Sequence, residues 1–166
     1  MLTIAEIQKE ATEFRKLIEI CDKKNTSLVI DCFPIGSCKL SSMLLSYHFL
    51  KLWPELSIKA VSAATGKNGQ ITHCWLEIND IVIDITGDQY NLIKDKDLNK
   101  NIIDNRPFPA VHVTHKKDSY LYKIFKIKEE ENLTKGFPSY GEDSIEEIKY
   151  GHTQLINYKK TESDLY

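Results

Sequence analysis

Cys38, His73 and Asp84 occur in the order, and in the local settings, that a cysteine nucleophile with a base and an orienting carboxylate requires. Cys38 stands at the predicted start of a helix, where the partial positive charge and the free amide donors lower the pKa of a thiol. His73 could accept the thiol proton, and Asp84 could fix the tautomer and orientation of the histidine ring. The backbone amide of Cys38 could stabilise an oxyanion. The three residues therefore predict nucleophilic thiol chemistry at a carbonyl carbon.

Two predicted strands carry the histidine and the aspartate. Residues 71–78 and 81–86 are rich in β-branched and aromatic side chains, and Asn79 and Asp80 between them suit a two-residue hairpin turn. Side chains alternate between the two faces of a strand. The pairing across this turn therefore decides which residues share a face.

In that register His73 and Asp84 become diagonal neighbours on one face, about 7–8 Å apart at the backbone and within reach of a side-chain hydrogen bond. The opposite face is apolar and is expected to contact the core; it holds Cys74, Leu76, Ile78, Ile81, Ile83 and Ile85. A slip of one residue would turn this apolar set to the other side. The apolar face therefore favours the register that brings His73 and Asp84 together.

Two helices are predicted before these strands. Thr3 and Glu6 have the pattern of a capping box, and apolar residues then recur at helical spacing, which predicts a helix over about residues 3–23. A second helix is predicted over about residues 37–53, ended by Pro54. Its expected inward face consists of Cys38, Ser42, Leu45, Phe49 and Leu52.

The remaining segments carry weaker patterns. Residues 57–64 predict a strand before the hairpin, and residues 110–113 and 119–127 predict further strands. Residues 128–132 read as a charged break, and the last 25 or so residues predict a surface helix with a frayed end.

The composition is typical of a globular protein of one domain spanning residues 1–166. Of the 166 residues, 42% are hydrophobic and 28% are charged, and the formal net charge is -2. A nucleic-acid binder usually has a basic excess, so no nucleic acid is expected as a partner. No apolar run approaches the roughly 20 residues that span a bilayer, and the charged N-terminus is unlike a signal peptide. We therefore expect a cytoplasmic protein without a membrane partner.

The four cysteines are Cys21, Cys32, Cys38 and Cys74, and no two of them form a Cys-x-x-Cys pair. Reduced thiols are expected without a secretion signal. A zinc site built from these cysteines and His73 is disfavoured, because adjacent His73 and Cys74 point to opposite faces of a strand. We expect no metal and no cofactor.

Four segments occur in order between residues 33 and 90: Cys38 at a helix start, a strand with small residues and a glycine over 58–66, His73-Cys74-Trp75-Leu76-Glu77, and Asp84-Ile85-Thr86. This order resembles the transglutaminase-like group of the papain-like cysteine enzymes, which includes peptide N-glycanase, arylamine N-acetyltransferase-like enzymes and bacterial transglutaminase-like peptidases. Proline often follows the aspartate in that group, where this chain has Ile85.

The resemblance implies an α+β fold with a papain-like, transglutaminase-like core, in which N-terminal helices pack on an antiparallel sheet. It implies that Cys38 is the nucleophile, His73 the base and Asp84 the orienting carboxylate. The expected activity is thiol-dependent hydrolysis or acyl transfer at an amide or thioester carbonyl, with a peptide or protein amide as substrate and no cofactor. A catalytically inactive binding module on the same fold is the alternative. A coenzyme A-dependent transferase is a third, although no basic cluster lies near the motifs.

Two further residues are candidates for substrate binding. Trp75 shares the face of His73, and it either walls the substrate pocket or packs against the second helix. Gln89 follows the third strand, and it either lines the mouth of the site or belongs to an ordinary polar loop. The candidates for a side-chain oxyanion donor before the cysteine are Asn25, Ser27 and Ser37.

Overall fold

An antiparallel sheet of five strands forms the centre of the structure, a computed structural model that describes residues 2–134 and 136–163. In chain order the strands are β1 (Ile58–Thr65), β2 (Ile71–Ile78), β3 (Ile81–Asp84), β4 (His112–His115) and β5 (Lys126–Asn132). Across the sheet they lie in the order β4-β3-β2-β1-β5, and each neighbouring pair is antiparallel. With the helices that flank this sheet, the structure is mixed α+β, as predicted.

The flanking helices are α1 (Ile4–Ile20), α2 (Cys38–Leu52), α3 (Gln89–Leu92), α4 (Lys100–Asn105), α5 (Tyr120–Ile124) and α6 (Glu142–Ser163). The predicted capping box is present at α1: the Glu6 N–H donates to Thr3 Oγ1 (3.2 Å), and the Thr3 N–H donates to Glu6 Oε2 (2.8 Å). The next helix, α2, begins at Cys38 and ends before Pro54. Both predicted N-terminal helices are thus confirmed, although α1 ends before residue 23.

Apolar side chains are buried on both faces of the sheet. One core joins the β2–β3 hairpin to α1, α2 and α6, and its members include Phe14, Leu45, Leu76, Ile83 and Leu155. The other core joins the hairpin to α4 and α5, and its members include Val61, Trp75, Val82, Ile102 and Leu121. Full burial of one such side chain stabilises the fold by roughly 1.5–3 kcal/mol. The hairpin therefore lies between two cores.

The hairpin has the predicted register, with the pairs Ile78–Ile81, Glu77–Val82 and Leu76–Ile83. Asn79 has a φ of 54°, the left-handed conformation that a tight hairpin turn requires. The strand β3 ends at Asp84, before the predicted end at Thr86. It ends there because the Thr86 N–H donates to Asp84 Oδ1 (2.9 Å) and cannot also pair with a neighbouring strand.

Residues 119–132 differ from the prediction. The structure has α5 where a strand was expected over 119–127, and β5 runs through the expected charged break at 128–132. Ser119 caps the N-terminus of α5, because its hydroxyl accepts the N–H of Leu121 at 3.3 Å. The strand β5 pairs with β1 at the edge of the sheet and is largely exposed. Most of its charged side chains are exposed, which suits an edge strand.

Three further predictions concern β4, the inward face of α2 and the C-terminal helix. The strand β4 overlaps the predicted 110–113 strand but lies slightly later. Leu52, expected on the inward face of α2, is 46% exposed. The predicted C-terminal helix is confirmed as α6, and its expected frayed end lies beyond residue 163, outside the described residues. Among the helices of residues 2–134 and 136–163, none is long and apolar enough to cross a lipid bilayer.

A buried polar cluster joins α1, α2 and α6. His48 Nδ1 lies 2.9 Å from His152 Nε2, and His48 Nε2 lies 2.7 Å from Glu10 Oε1. Phe14 stacks on the His48 ring with centroids 4.7 Å apart. Burial lowers the pKa of His48, and burial together with the charges of His48 and Lys51 lowers the pKa of His152 to about 4. The cluster is therefore built to hold neutral imidazoles at neutral pH.

Candidate active site

His73 and Asp84 form a buried pair on the hairpin face that carries Trp75. His73 is 0% and Asp84 2% exposed, and His73 Nε2–H donates to Asp84 Oδ2 at 2.7 Å. The other oxygen, Oδ1, accepts the N–H (2.9 Å) and the hydroxyl (3.2 Å) of Thr86. Burial raises the pKa of Asp84, but the charge and hydrogen bond of His73 and the N–H of Thr86 outweigh it and hold that pKa below its ordinary value. Asp84 is therefore ionised near neutral pH.

Tyr120 and Gly87 close the site around the aspartate. The Tyr120 hydroxyl lies 3.5 Å from Asp84 Oδ2, and its ring stacks on Phe108 with centroids 4.6 Å apart. Burial raises the pKa of Tyr120, so the hydroxyl keeps its proton and can donate. A Cβ on Gly87 would collide with this hydroxyl and would lie 2.8 Å from Asp84 Oδ2. Position 87 needs glycine because the chain passes so close to the carboxylate.

Gln89 connects the histidine to the loop that precedes the cysteine. Its Nε2 lies 3.4 Å from His73 Nδ1 and donates to the carbonyl of Thr86 at 3.1 Å, while its Oε1 accepts the N–H of Gly36 at 3.3 Å. Because Asp84 only accepts, His73 donates through Nε2, and its Nδ1 faces the side-chain amide of Gln89. Gln89 thus lies beside His73 with a buried side chain, and its role in substrate binding stays a prediction.

Cys38 is the first residue of α2, and its thiol contacts Cys74 rather than His73. The two thiols share a hydrogen bond, and the backbone N–H of Cys74 also points at the Cys38 sulfur. Cys74 Sγ lies 3.6 Å from the hydroxyl of Ser62 on the neighbouring strand. Within the described residues no hydrogen bond joins Cys38 to His73. Cys38 and His73 therefore each have another partner, and Gln89 contacts both His73 and Gly36 in the loop before Cys38.

The two thiols ionise as a pair. The hydrogen bond to Cys74, followed by burial, raises the pKa of Cys38, and the same hydrogen bond lowers the pKa of Cys74 to about 6. The first proton is thus lost readily from the pair, and the second is held because two adjacent thiolates repel. The pair carries one negative charge near neutral pH, at the N-terminus of α2, where the helix dipole stabilises it.

A small cavity of about 50 Å³ between α2, β1 and β5 reaches Cys74. Its lining includes Lys39, Ser62, Cys74, Glu129, Glu131 and Tyr140. The ammonium group of Lys39 lies 5.7 Å from the centre of the Tyr140 ring. A cavity of this size holds a few water molecules, so a larger substrate group would have to widen it.

Arg15 holds together the two loops that flank the site. This side chain is 6% exposed and makes two 2.7 Å hydrogen bonds to the Asp88 carboxylate. It also donates to the carbonyl of Ile85 at 2.5 Å, and its guanidinium lies 4.7 Å from the centre of the Phe33 ring. Ile85 and Asp88 belong to the loop between Asp84 and Gln89, and Phe33 belongs to the loop before Cys38. Arg15 therefore fixes both loops to α1.

Trp75 lies in the core on the side of the sheet away from α2, so the expected packing against the second helix is wrong. It is 0% exposed, and its indole N–H donates to Glu77 Oε1 at 3.1 Å. Its ring packs edge-on against Tyr122, whose hydroxyl also donates to Glu77. Alternation along β2 places Trp75 with His73 and opposite Cys74. In this structure Trp75 supports the histidine from within the core and does not line the cavity beside Cys74.

The candidates for an upstream oxyanion donor have different surroundings. Asn25 is exposed and donates to Asp22, and the N–H of Ser27 donates to Gln154 of α6. Ser37, directly before Cys38, is 2% exposed, and its hydroxyl has no hydrogen-bond partner among the described residues. Of the three, Ser37 alone adjoins the cysteine.

The pairing of Cys38 with Cys74 was missed from the sequence. The sequence pattern places Cys74 on the apolar face of the hairpin, but it does not indicate that the start of α2 packs over that face. The available signal was a cysteine among β-branched residues on the core face, with another cysteine opening the predicted helix. No group of three histidine, cysteine or carboxylate side chains in residues 2–134 and 136–163 is arranged to hold a metal ion.

Comparisons of the chain with protein-family models, curated proteins and solved structures found no match. The resemblance to the transglutaminase-like group therefore depends on the ordered motifs and on the geometry around His73, and the family stays a prediction.

Proposed function

We propose that this protein is a thiol-dependent hydrolase or acyl transferase with a papain-like, transglutaminase-like core, acting on an amide or thioester carbonyl. The observation that carries the proposal is the buried His73–Asp84 pair at 2.7 Å, which Gln89 links to the loop that leads into Cys38 at the start of α2. A buried imidazole with an ionised carboxylate on one nitrogen and a free lone pair on the other is suited to general base catalysis. A peptide or protein amide is the proposed substrate.

In the proposed reaction, Cys38 Sγ attacks the carbonyl carbon while His73 Nδ1 takes the thiol proton. Asp84 stabilises the imidazolium that forms, and the N–H of Cys38 donates to the oxyanion. His73 then returns the proton to the leaving amine or thiolate, and an acyl group remains on Cys38. Water releases a carboxylate in hydrolysis, and an amine releases a new amide in transfer.

This reaction requires the Cys38 thiol to leave its contact with Cys74 and to contact His73 instead. The contact between Gln89 Nε2 and His73 Nδ1 is 3.4 Å long, which is weak for a hydrogen bond. The proposed reaction therefore requires that Cys38 Sγ reaches His73 Nδ1 and that Gln89 Nε2 gives up this nitrogen when substrate binds.

The same contacts favour a second candidate, a binding module without catalysis. Cys38 contacts Cys74 and His73 contacts Gln89, so Cys38 and His73 are not hydrogen-bonded to each other as a catalytic pair would be. In a binding module the thiol pair would stay as it is and no acyl group would collect on Cys38. The two candidates therefore differ in whether the free protein becomes acylated.

The test uses an activated ester, p-nitrophenyl acetate, and intact-mass spectrometry of the full chain. If the protein is an enzyme, we expect one acetyl group on Cys38, located by peptide mapping. The His73→Ala variant should not be acetylated. His115→Ala is the matched control, because His115 pairs with Asp80 at 2.8 Å on the exposed side of the hairpin. We expect His115→Ala to acylate like the wild-type protein.

The pH dependence of iodoacetamide alkylation gives a second readout that needs no substrate. In a Cys74→Ala background, Cys38 should react well below the free-thiol pKa of about 8.5, and adding His73→Ala should remove that reactivity. Exposed Cys32 is the internal reference in every sample. If Cys38 behaves like Cys32 in both backgrounds and collects no acetyl group, the enzyme is rejected in favour of the binding module.

A further inference from the structure

We propose that Cys38 and Cys74 are a redox site, which forms an intramolecular disulfide when the protein meets a hydroperoxide or a small disulfide. The inference goes beyond the proposed function and does not depend on it. Closing this bond would remove the thiol of Cys38 from any acyl chemistry until a reductant restored it.

The positions of the two residues favour the bond. Cys38 begins α2, and Cys74 lies on the face of β2 over which α2 packs, so their side chains approach from opposite sides of one interface. The thiols are already hydrogen-bonded to each other. A disulfide joins sulfurs about 2.05 Å apart and needs neighbouring Cβ atoms. Lys39, the residue after Cys38, lines the same cavity as Cys74, so the bond would join the first turn of α2 to the strand that faces it.

The surroundings favour oxidation at this pair over the other thiols. Cys38 and Cys74 are both half-buried, and the 50 Å³ cavity beside Cys74 admits a molecule of the size of hydrogen peroxide. The lowered pKa of Cys74 supplies a thiolate near neutral pH, the form that reacts with peroxides. By contrast, Cys21 is buried and donates to the carbonyl of Ile18. Cys32 is exposed, in the loop before α2.

The chemistry balances in two steps. The thiolate attacks one peroxide oxygen, an S–O bond forms, the O–O bond breaks, and the departing hydroxide takes a proton to become water. The sulfur has lost two electrons to the peroxide and is now a sulfenic acid. The second thiol attacks this sulfur, an S–S bond forms, the S–O bond breaks, and its proton leaves with the hydroxide as a second water. A dithiol reductant reverses the bond by thiol–disulfide exchange.

The experiment treats the full chain with hydrogen peroxide, blocks the remaining thiols with N-ethylmaleimide, and maps peptides without reduction. We expect a linked Cys38–Cys74 peptide, two of the four thiols lost, and both changes reversed by dithiothreitol. Cys32→Ala, the matched control, should give the same linked peptide. Cys74→Ala should give none, and Cys38 should instead stop at a sulfenic or sulfinic acid.

Three results would overturn the proposal: both thiols stay alkylatable, both oxidise without a linked peptide, or either pairs with Cys32, Cys21 or another chain. Cys74→Ser provides a second variant if Cys74→Ala unfolds, which circular dichroism shows. Because this assay measures a bond and not turnover, a linked peptide in a protein that never acylates keeps the redox site and rejects only the enzyme.

Discussion

Replacing Asp84 with asparagine keeps the size of the side chain and removes its charge, so it separates orientation of His73 from packing. Asp84 accepts from four donors: His73 Nε2, the Thr86 N–H, the Thr86 hydroxyl and the Tyr120 hydroxyl. An asparagine has one oxygen and one NH₂ group, so some of these donors must face another donor. The result depends on which way the amide turns.

The two orientations of the asparagine amide differ in how much free energy of folding they cost. With the NH₂ group toward Thr86, the buried N–H of Thr86 loses its acceptor, at a cost of roughly 1–3 kcal/mol. With the NH₂ group toward His73, the imidazole can change tautomer, so that Nε2 accepts and Nδ1 carries the proton. We expect the second orientation, because it keeps an acceptor for the buried N–H of Thr86 and loses only the charged hydrogen bond, about 1.5–3 kcal/mol. A protonated Nδ1 cannot take the Cys38 proton, so acylation should fall on the order of 10²–10⁴-fold.

Three measurements on Asp84→Asn follow this reasoning. Urea denaturation gives the free energy of unfolding, nitrogen NMR of labelled histidine gives the tautomer, and p-nitrophenyl acetate gives the acylation rate. The pKa of Asp84 is lowered from its ordinary 3.8, so its stabilisation is present above that pH and is lost as the pH falls through the folded value. The stability difference between wild type and variant should therefore shrink in acid.

The matched control is Asp80→Asn, which removes the carboxylate from the exposed His115–Asp80 pair on the same hairpin. It should leave both the acylation rate and the free energy of unfolding close to those of the wild-type protein, because an exposed ion pair contributes little. If Asp84→Asn retains the proton on Nε2 and acylates at the wild-type rate, the orienting role assigned to Asp84 is refuted.

Three further predictions concern stability. The pKa of His152 is lowered from 6.5 to about 4, so the unfolded state takes up a proton first as the pH falls. The free energy of unfolding should therefore decrease by about 2 kcal/mol as the pH falls from 6.5 to 4. In urea titrations at several pH values, His152→Phe should show a smaller decrease. Gly87→Ala should cost about 1–3 kcal/mol in the same assay through its clash at Asp84, and adding Tyr120→Phe should recover part of it; no recovery would contradict the clash. Arg15→Ala breaks a buried ion pair and should lower stability by about 3–5 kcal/mol; a loss below 1 kcal/mol would show that Arg15 does not hold the loops.

The parts of the fold that were predictable depend on short-range rules. The capping box of α1, the start of α2 and the register of the β2–β3 hairpin each follow from residues within a few positions of one another. The hairpin register in turn predicts the His73–Asp84 hydrogen bond, because alternation puts both side chains on one face. That half of the candidate site is therefore encoded locally.

The segment 119–132 shows where local rules fail. Its charged residues favour a loop, yet they form β5 because β1 offers an edge that a strand can pair with. Its aromatic residues favour a strand, yet Ser119 caps a short helix there. The pattern of side chains along a segment indicates how exposed the segment is. Whether the segment forms an edge strand depends also on a neighbouring strand, which is present only in the assembled sheet.

What the sequence alone determined was the identity and order of the reactive side chains and the pairing of His73 with Asp84. The contact of Cys38 with Cys74 and the bridge of Gln89 between His73 and Gly36 were decided by the tertiary structure. The residues of each contact lie far apart in the chain, so no periodicity relates them. They meet only because α2 packs over the hairpin and Arg15 draws the loops on either side of it toward α1.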